Sequence, residues 1–269
     1  MEQPKNNLKI VSNKKNARVI LPNMLTLIGV CIGLTSIRFA LDGKFEFAII
    51  AIIFAALIDG LDGRIARLIR GTSKVGKELD SLTDMISFGV APAFVMYFWK
   101  LNILGKFGWL VCLIYVICVA LRLARFNVNS SEESSWKDNF FEGVPSPAGG
   151  ILALTPLIFS LSGFDTFNIN YNIVVPTVFI LTSLLLISKV PTYSFKKIVI
   201  RRNTTIFLLF GIVLFFGMLL IYTFEVLAIA SLIYILLIPV GYFHFQKIKK
   251  DKNENDDIDE ENDKLEDIL

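Results

Sequence analysis

Charge is what this chain has least of. Charged side chains make up 19% of its 269 residues, against roughly a quarter in soluble domains, while 54% of the residues are hydrophobic and Phe alone occurs 23 times. A soluble globule is excluded. Histidine is scarcer still: His244, the single one, sits at the end of the last apolar run as an interfacial side chain and leaves no Ser/His or Cys/His pair for a covalent intermediate. The three cysteines, Cys31, Cys112 and Cys118, all lie in apolar runs, so there is neither a disulfide framework nor a CxxC metal site.

What the chain has is long uncharged runs. Val19 to Ile37, Gly143 to Phe164, Thr166 to Ser188, Asn203 to Phe224 and Val226 to Gln246 each approach the ~20 residues that cross a bilayer. The first continues into Ile37-Arg38-Phe39-Ala40 with no small-residue cleavage site and is expected to be a retained span. Three shorter runs, Phe47 to Ile58, Met85 to Trp99 and Phe107 to Leu121, become long enough only if Asp59, Asp84 and Arg122 at their ends join the same helices. The expectation is an all-α, polytopic integral membrane protein of about eight helices, near 20–41, 45–70, 79–99, 106–125, 147–164, 168–188, 203–223 and 225–246.

With the N-terminus inside, 23 Lys and Arg fall on one face and only Arg38, Lys44, Lys100 and Lys106 on the other, which puts both termini in the cytoplasm. The chain divides into a basic segment (1–18), a membrane domain (19–246) and a charged tail (247–269). Asp251 to Leu269 carries ten acids against Lys252 and Lys264, too polar to bury a core, and is expected to be disordered.

The chemistry lies in Asp59-Gly60-Leu61-Asp62-Gly63-Arg64-Ile65-Ala66-Arg67 and, eight residues on, Gly76-Lys77-Glu78-Leu79-Asp80-Ser81-Leu82-Thr83-Asp84. Asp59 and Asp62 are three apart and Asp80 and Asp84 four apart, so each pair shares a helix face and two consecutive helices can aim four carboxylates at one point. An Asp at mid-bilayer costs ~2.5 to 3.5 kcal/mol, and four together repel. Divalent metal is the direct remedy: oxygen ligands suit Mg2+ or Mn2+, and two such ions would in turn hold a pyrophosphate. Gly60, Gly63 and Ala66 leave room for a ligand against the backbone. Two simpler uses compete. Salt bridges to Arg64, Arg67 or Lys77 account for one or two carboxylates but not four, and Gly60, Gly63 and Ala66 also suit small-xxx-small helix packing.

Asp62-Gly63-x-x-Ala66-Arg67, then Gly76-x-x-x-Asp80-x-x-x-Asp84, with Asp59 ahead, resembles without departure the signature of the CDP-alcohol phosphatidyltransferases, seven residues over 23 positions. Weaker patterns resemble the phosphatidylserine synthase branch of that family. They are Leu21-Pro22-Asn23-Met24-Leu25-Thr26, Ser87-Phe88-Gly89-Val90-Ala91-Pro92, Arg122-Leu123-Ala124-Arg125-Phe126-Asn127, Phe141-Glu142-Gly143-Val144-Pro145-Ser146-Pro147 and Pro191-Thr192-Tyr193-Ser194-Phe195-Lys196-Lys197.

The resemblance implies that Asp59, Asp62 and Asp80 ligate metal, that Asp84 adjoins the metals and acts as general base, and that Asp62, Gly63, Ala66, Arg67 and Gly76 lie against the CDP moiety. It implies transfer of the phosphatidyl group of CDP-diacylglycerol to L-serine, a bacterial or archaeal membrane with the site facing the cytoplasm, membrane lipid but no nucleic acid as partner, and a homodimer. Serine's carboxylate calls for a fork of positive charge. Arg122 and Arg125, three apart at the cytoplasmic end of the fourth helix, are suitably placed, with Asn127 and Ser146 as further acceptor-site candidates, although both arginines also suit membrane anchoring. Lys196 and Lys197 are expected to be anchors. Glycerol 3-phosphate or an inositol phosphate as acceptor, and a cation transporter, are the competing functions.

Overall fold

The computed structural model describes residues 14–69, 71–129, 140–163, 170–188, 190–193 and 202–266, with 14–19, 129, 140–142, 191–193, 202–205 and 247–266 as backbone only. Arg70, Lys137, Lys196, Lys197 and residues 1–13 lie outside these. The helices are α1 (Lys14–Leu41), α2 (Phe45–Leu68), α3 (Lys74–Asp84), α4 (Ala91–Trp99), α5 (Lys106–Asn129), α6 (Ser146–Leu161), α7 (Tyr171–Ile187), α8 (Arg202–Ile221) and α9 (Thr223–Glu266). A π-turn, Met85–Val90, joins α3 to α4. Four stretches, Ile20–Leu41, Lys74–Trp99, Lys106–Val128 and Thr223–Gln246, are long and apolar enough to cross a bilayer, and Ser146–Leu161, Tyr171–Ile187 and Ile206–Ile221 are shorter apolar helices. The chain is an all-α integral membrane protein.

One inward stripe runs the length of α2. Ala48, Ile52 and Ala55 are buried, and the same alternation of three and four residues leads to Asp59, Asp62 and Ala66. The face that is core in the apolar half therefore becomes a ring of carboxylates in the charged half. Helix α3 delivers the facing pair. It starts five residues before the expected position 79 because the Ser73 hydroxyl caps it, accepting from the Gly76 N–H at 2.9 Å.

Proline explains much of what happens next. Pro92 has no N–H for the carbonyl of Phe88 four residues back, and its ring crowds that carbonyl. The backbone widens into the π-turn, where the Ala91 N–H reaches back five residues to the Ile86 carbonyl. The Phe88 carbonyl is taken instead by the buried hydroxyl of Tyr115 on α5, at 2.7 Å. Phe88, Tyr115 and Phe179 of α7 are fully buried, and the Tyr115 and Phe179 rings lie 4.9 Å apart.

Helix α1 crosses this turn at close range. A Cβ on Gly33 would lie 3.1 Å from the Cα of Ser87, and one on Gly29 would touch Thr83 at 3.4 Å. On the other side, Phe140–Glu142 pairs antiparallel with Pro191–Tyr193, Phe141 opposite Thr192, so two of the branch-type segments are joined by a three-residue ladder. Gly143, at φ 77°, closes the turn from ladder to α6, where a Cβ would lie 2.7 Å from the Ser188 carbonyl. The α9 backbone stays helical to Glu266, through the stretch expected to be a disordered tail. Extending a helix already nucleated costs little per residue, and Lys and Glu are good helix formers.

Tyr115→Phe should lower unfolding free energy by about 1 to 3 kcal/mol, because it strands the buried Phe88 carbonyl without changing the ring. A lower midpoint in a detergent thermal melt checks it.

Candidate active site

Asp59 and Asp62 from α2 and Asp80 from α3 each bring a carboxylate oxygen within 4.8 Å of the others. Asp84, one turn further along α3, adjoins them. Asp62 is nearly fully buried and accepts a hydrogen bond of 2.7 Å from the Thr26 hydroxyl on α1. The Ser146 hydroxyl, at the start of α6, donates to Oδ2 of Asp84 at 2.5 Å, and Oδ1 of Asp84 is buried with no hydrogen-bond partner. All of these groups line one cavity of about 530 Å3.

None of the four carboxylates forms an ion pair among the described residues. Arg67 donates instead to the Gly63 carbonyl of its own helix at 3.0 Å, and the Lys77 ammonium to the Asn127 carbonyl at 3.2 Å. Salt bridging does not account for the cluster. Convergent, partly buried oxygen donors from two helices are the donor set of a hard divalent cation, and the residues present fit one.

Gly63, Ala66, Arg67 and Gly76 all line the cavity. A Cβ on Gly60 or Gly63 would meet nothing within 4 Å among the described residues, so neither glycine is required for packing against those helices. Gly76 is different, since a Cβ there would come within 2.9 Å of Oδ1 of Asn23. Its smallness lets α1 approach the N-terminus of α3.

The acceptor-site candidates separate. Arg122 and Ser146 line the cavity, and Arg122 faces Asp84 across it without closing an ion pair; its Nε is buried and unpartnered. Arg125 points elsewhere, donating from Nη1 to the carbonyl of Ile187, the last residue of α7, at 2.8 Å. Asn127 is outside the cavity lining as well, its side chain bonded to Ser81 of α3 at 2.9 Å. Pro22, Asn23 and Thr26 of α1 form a wall that the sequence reading left without a role. Their signal was the spacing of Pro22 and Thr26, four apart on one helix face.

The family model for CDP-alcohol phosphatidyltransferases matches residues 19–186. The chain belongs to this family. Enzymes of the family generally depend on divalent metal, which agrees with the carboxylate cluster. The chain is 43% identical over 177 residues to a CDP-diacylglycerol–serine O-phosphatidyltransferase of Mycobacterium leprae, covering 64% of this chain and 57% of that protein. It is 31% identical over 221 residues to the Helicobacter pylori protein of the same name, covering 82% and 90%. An archaetidylserine synthase of Methanothermobacter thermautotrophicus is 37% identical over 156 residues, 54% of this chain and 60% of that protein. The chain thus spans just over half the length of the mycobacterial relative and nearly all of the Helicobacter one. The family match ends at the last turn of α7 and leaves α8 and α9 outside.

Arg125→Ala should lower the thermal midpoint in detergent, since it uncovers the C-terminal carbonyl of α7, and should leave the KM for any acceptor alcohol within about twofold. The paired melt and kinetic titration check the assignment, and a selective rise in acceptor KM would refute it.

Proposed function

We propose that the protein transfers the phosphatidyl group of CDP-diacylglycerol to the hydroxyl of L-serine, releasing CMP, at a site on the cytoplasmic face of a bacterial or archaeal membrane that its helices cross eight times. The observation that carries the reading is that Asp84 and Arg122 line one cavity with the rest of the family's carboxylates. The names of the relatives support serine as acceptor.

Asp59, Asp62 and Asp80 would hold divalent ions, Mg2+ or Mn2+ and two in number on the family's pattern, which would neutralise the pyrophosphate and polarise the phosphorus under attack. Gly63 and Ala66 leave the wall of α2 low enough for the pyrophosphate, and Arg67 stands at its edge. Ser146 holds Oδ2 of Asp84 and so orients the carboxylate that takes the serine hydroxyl proton. The serine oxygen then bonds to the phosphorus that bears the diacylglycerol, and the bond from that phosphorus to the CMP oxygen breaks. CMP leaves as an anion and needs no proton. Arg122 holds the serine carboxylate, with Arg125 and Asn127 fixing the helix ends around it. An apolar cavity of about 320 Å3 between α2, α6, α8 and α9 suits an acyl chain of the lipid, and Ala148 in its wall follows Pro147 of the site directly in the chain.

Purified protein given CDP-diacylglycerol with serine, glycerol 3-phosphate or an inositol phosphate should release CMP with serine alone, and chelator should stop it. Release with either phosphate instead would retain the chemistry and overturn the acceptor. Asp84→Asn should abolish turnover without loss of CDP-diacylglycerol binding. Ser146→Ala should lower kcat about tenfold or more at unchanged lipid KM, since it loosens the base rather than the substrate. Arg122→Ala should raise the serine KM more than tenfold, from loss of a charge-assisted bond worth about 1.5 to 3 kcal/mol, with Lys restoring only part. Steady-state titrations of both substrates separate these outcomes.

A further inference from the structure

The carboxylates of the candidate metal centre are not held alike. Asp59 and Asp80 are half-buried, whereas Asp62 is 3% exposed and is gripped from a third helix. The grip is the Thr26 hydroxyl, itself 5% exposed, which has one proton and two acceptors in reach: Oδ2 of Asp62 at 2.7 Å and the Pro22 carbonyl at 3.0 Å. Pro22 and Thr26 are four apart within α1, so the Pro22 carbonyl already has the backbone N–H of Thr26 to satisfy it. The carboxylate is both the nearer and the charged acceptor, and the proton goes to it.

We infer that Thr26 is a positioning residue of the metal centre, holding one oxygen of Asp62 so that the orientation of its carboxylate is set before any ion arrives. The inference rests on the metal reading proposed above. Its consequence is structural as well as chemical. Helices α2 and α3 supply the ligands, but α1, which contributes none, orients the most buried one. Two features support a built arrangement. Helix α1 lies close enough to α3 that a Cβ on Gly76 would come within 2.9 Å of the Asn23 side chain, and close enough to the π-turn that a Cβ on Gly33 would press on the Ser87 backbone at 3.1 Å. The hydroxyl is thus carried on a helix whose position is fixed at both ends of the contact. A second group that orients a ligating carboxylate typically contributes 10- to 100-fold in metal affinity.

The test uses the full chain in detergent without CDP-lipid or serine, and reads Mn2+ uptake by electron paramagnetic resonance. Thr26→Val keeps the branched shape and removes the hydroxyl; Thr26→Ser keeps the hydroxyl and removes the methyl. Thr26→Val should weaken Mn2+ binding by about tenfold or more, while Thr26→Ser stays within about threefold of the parent. The metal-free valine variant should melt lower, as loss of a buried hydrogen bond requires, and the serine variant like the parent, so Mn2+ uptake is read well below the midpoints of all three. If the valine variant does not fold, Thr26→Ala against Thr26→Ser gives the same comparison of hydroxyl against none. Parent-like Mn2+ affinity in the variant without the hydroxyl would overturn the proposal, as would equal losses in the serine variant. A parent protein that takes up no Mn2+ at all would overturn the metal reading beneath it, a result distinct from either.

Discussion

Mutual repulsion of the carboxylates is the constraint around which the charged half of this bundle is arranged. Two unit charges within 4.8 Å repel by roughly 3 to 4 kcal/mol at an effective dielectric of about 20, and Asp59, Asp62 and Asp80 make three such pairs before Asp84 is added. That total is comparable with the ~5 to 15 kcal/mol by which a domain is stable. A helix pair carrying the cluster cannot be held by its own charged ends. It must be braced by packing elsewhere, and the apolar halves of α1, α2 and α4 to α7 supply that brace. Ile49, Ile52, Phe88, Tyr115 and Phe179 are all fully buried, on four different parts of the chain.

The bracing also explains why irregular backbone sits next to the site. A single regular helix from Lys74 to Trp99 would keep one face inward throughout. The π-turn inserts a wider step between Asp84 and the apolar half, so that the carboxylates and the core residues below them need not follow one strict stripe. The price is a stranded carbonyl at Phe88, which Tyr115 recovers from α5. Thus Pro92, in the middle of a membrane segment, and a tyrosine 23 residues later act on the placement of Asp84 without touching it.

These relations mark the boundary of what the sequence disclosed. The convergence of Asp59, Asp62, Asp80 and Asp84 was legible because it depends on spacing within two adjacent helices, which the 3.6-residue period governs directly. The all-α membrane class was legible from uncharged run length. The capped start of α3 at Ser73 was legible in principle and was missed, because the apolar pattern begins later than the cap. The split between Arg122 and Arg125 was not legible. Three residues apart they lie about 60° apart around a helix, and which of two long side chains turns inward is decided by the Ile187 carbonyl, 62 residues away in sequence. The pairing of Phe140–Glu142 with Pro191–Tyr193 is likewise a tertiary matter, since three-residue strands joined across about 50 positions leave no periodic trace.

The same geometry bears on acceptor choice. Three cations among the described residues line the cavity, and two of them are engaged, Arg67 with its own helix and Lys77 with the end of α5. Arg122 lines the cavity with Asp84 and, among the described residues, is bound to neither helix end. With the proposed ions bound the carboxylates are largely neutralised, and an acceptor bearing a phosphate would bring close to two negative charges to the single guanidinium of Arg122. A zwitterion brings one carboxylate, which the planar fork of Arg122 can take in a bidentate contact. On the function proposed above, a single cation suits an amino acid better than a phosphorylated alcohol, and that match depends on Arg125 being occupied at α7 rather than adding a second positive charge to the cavity.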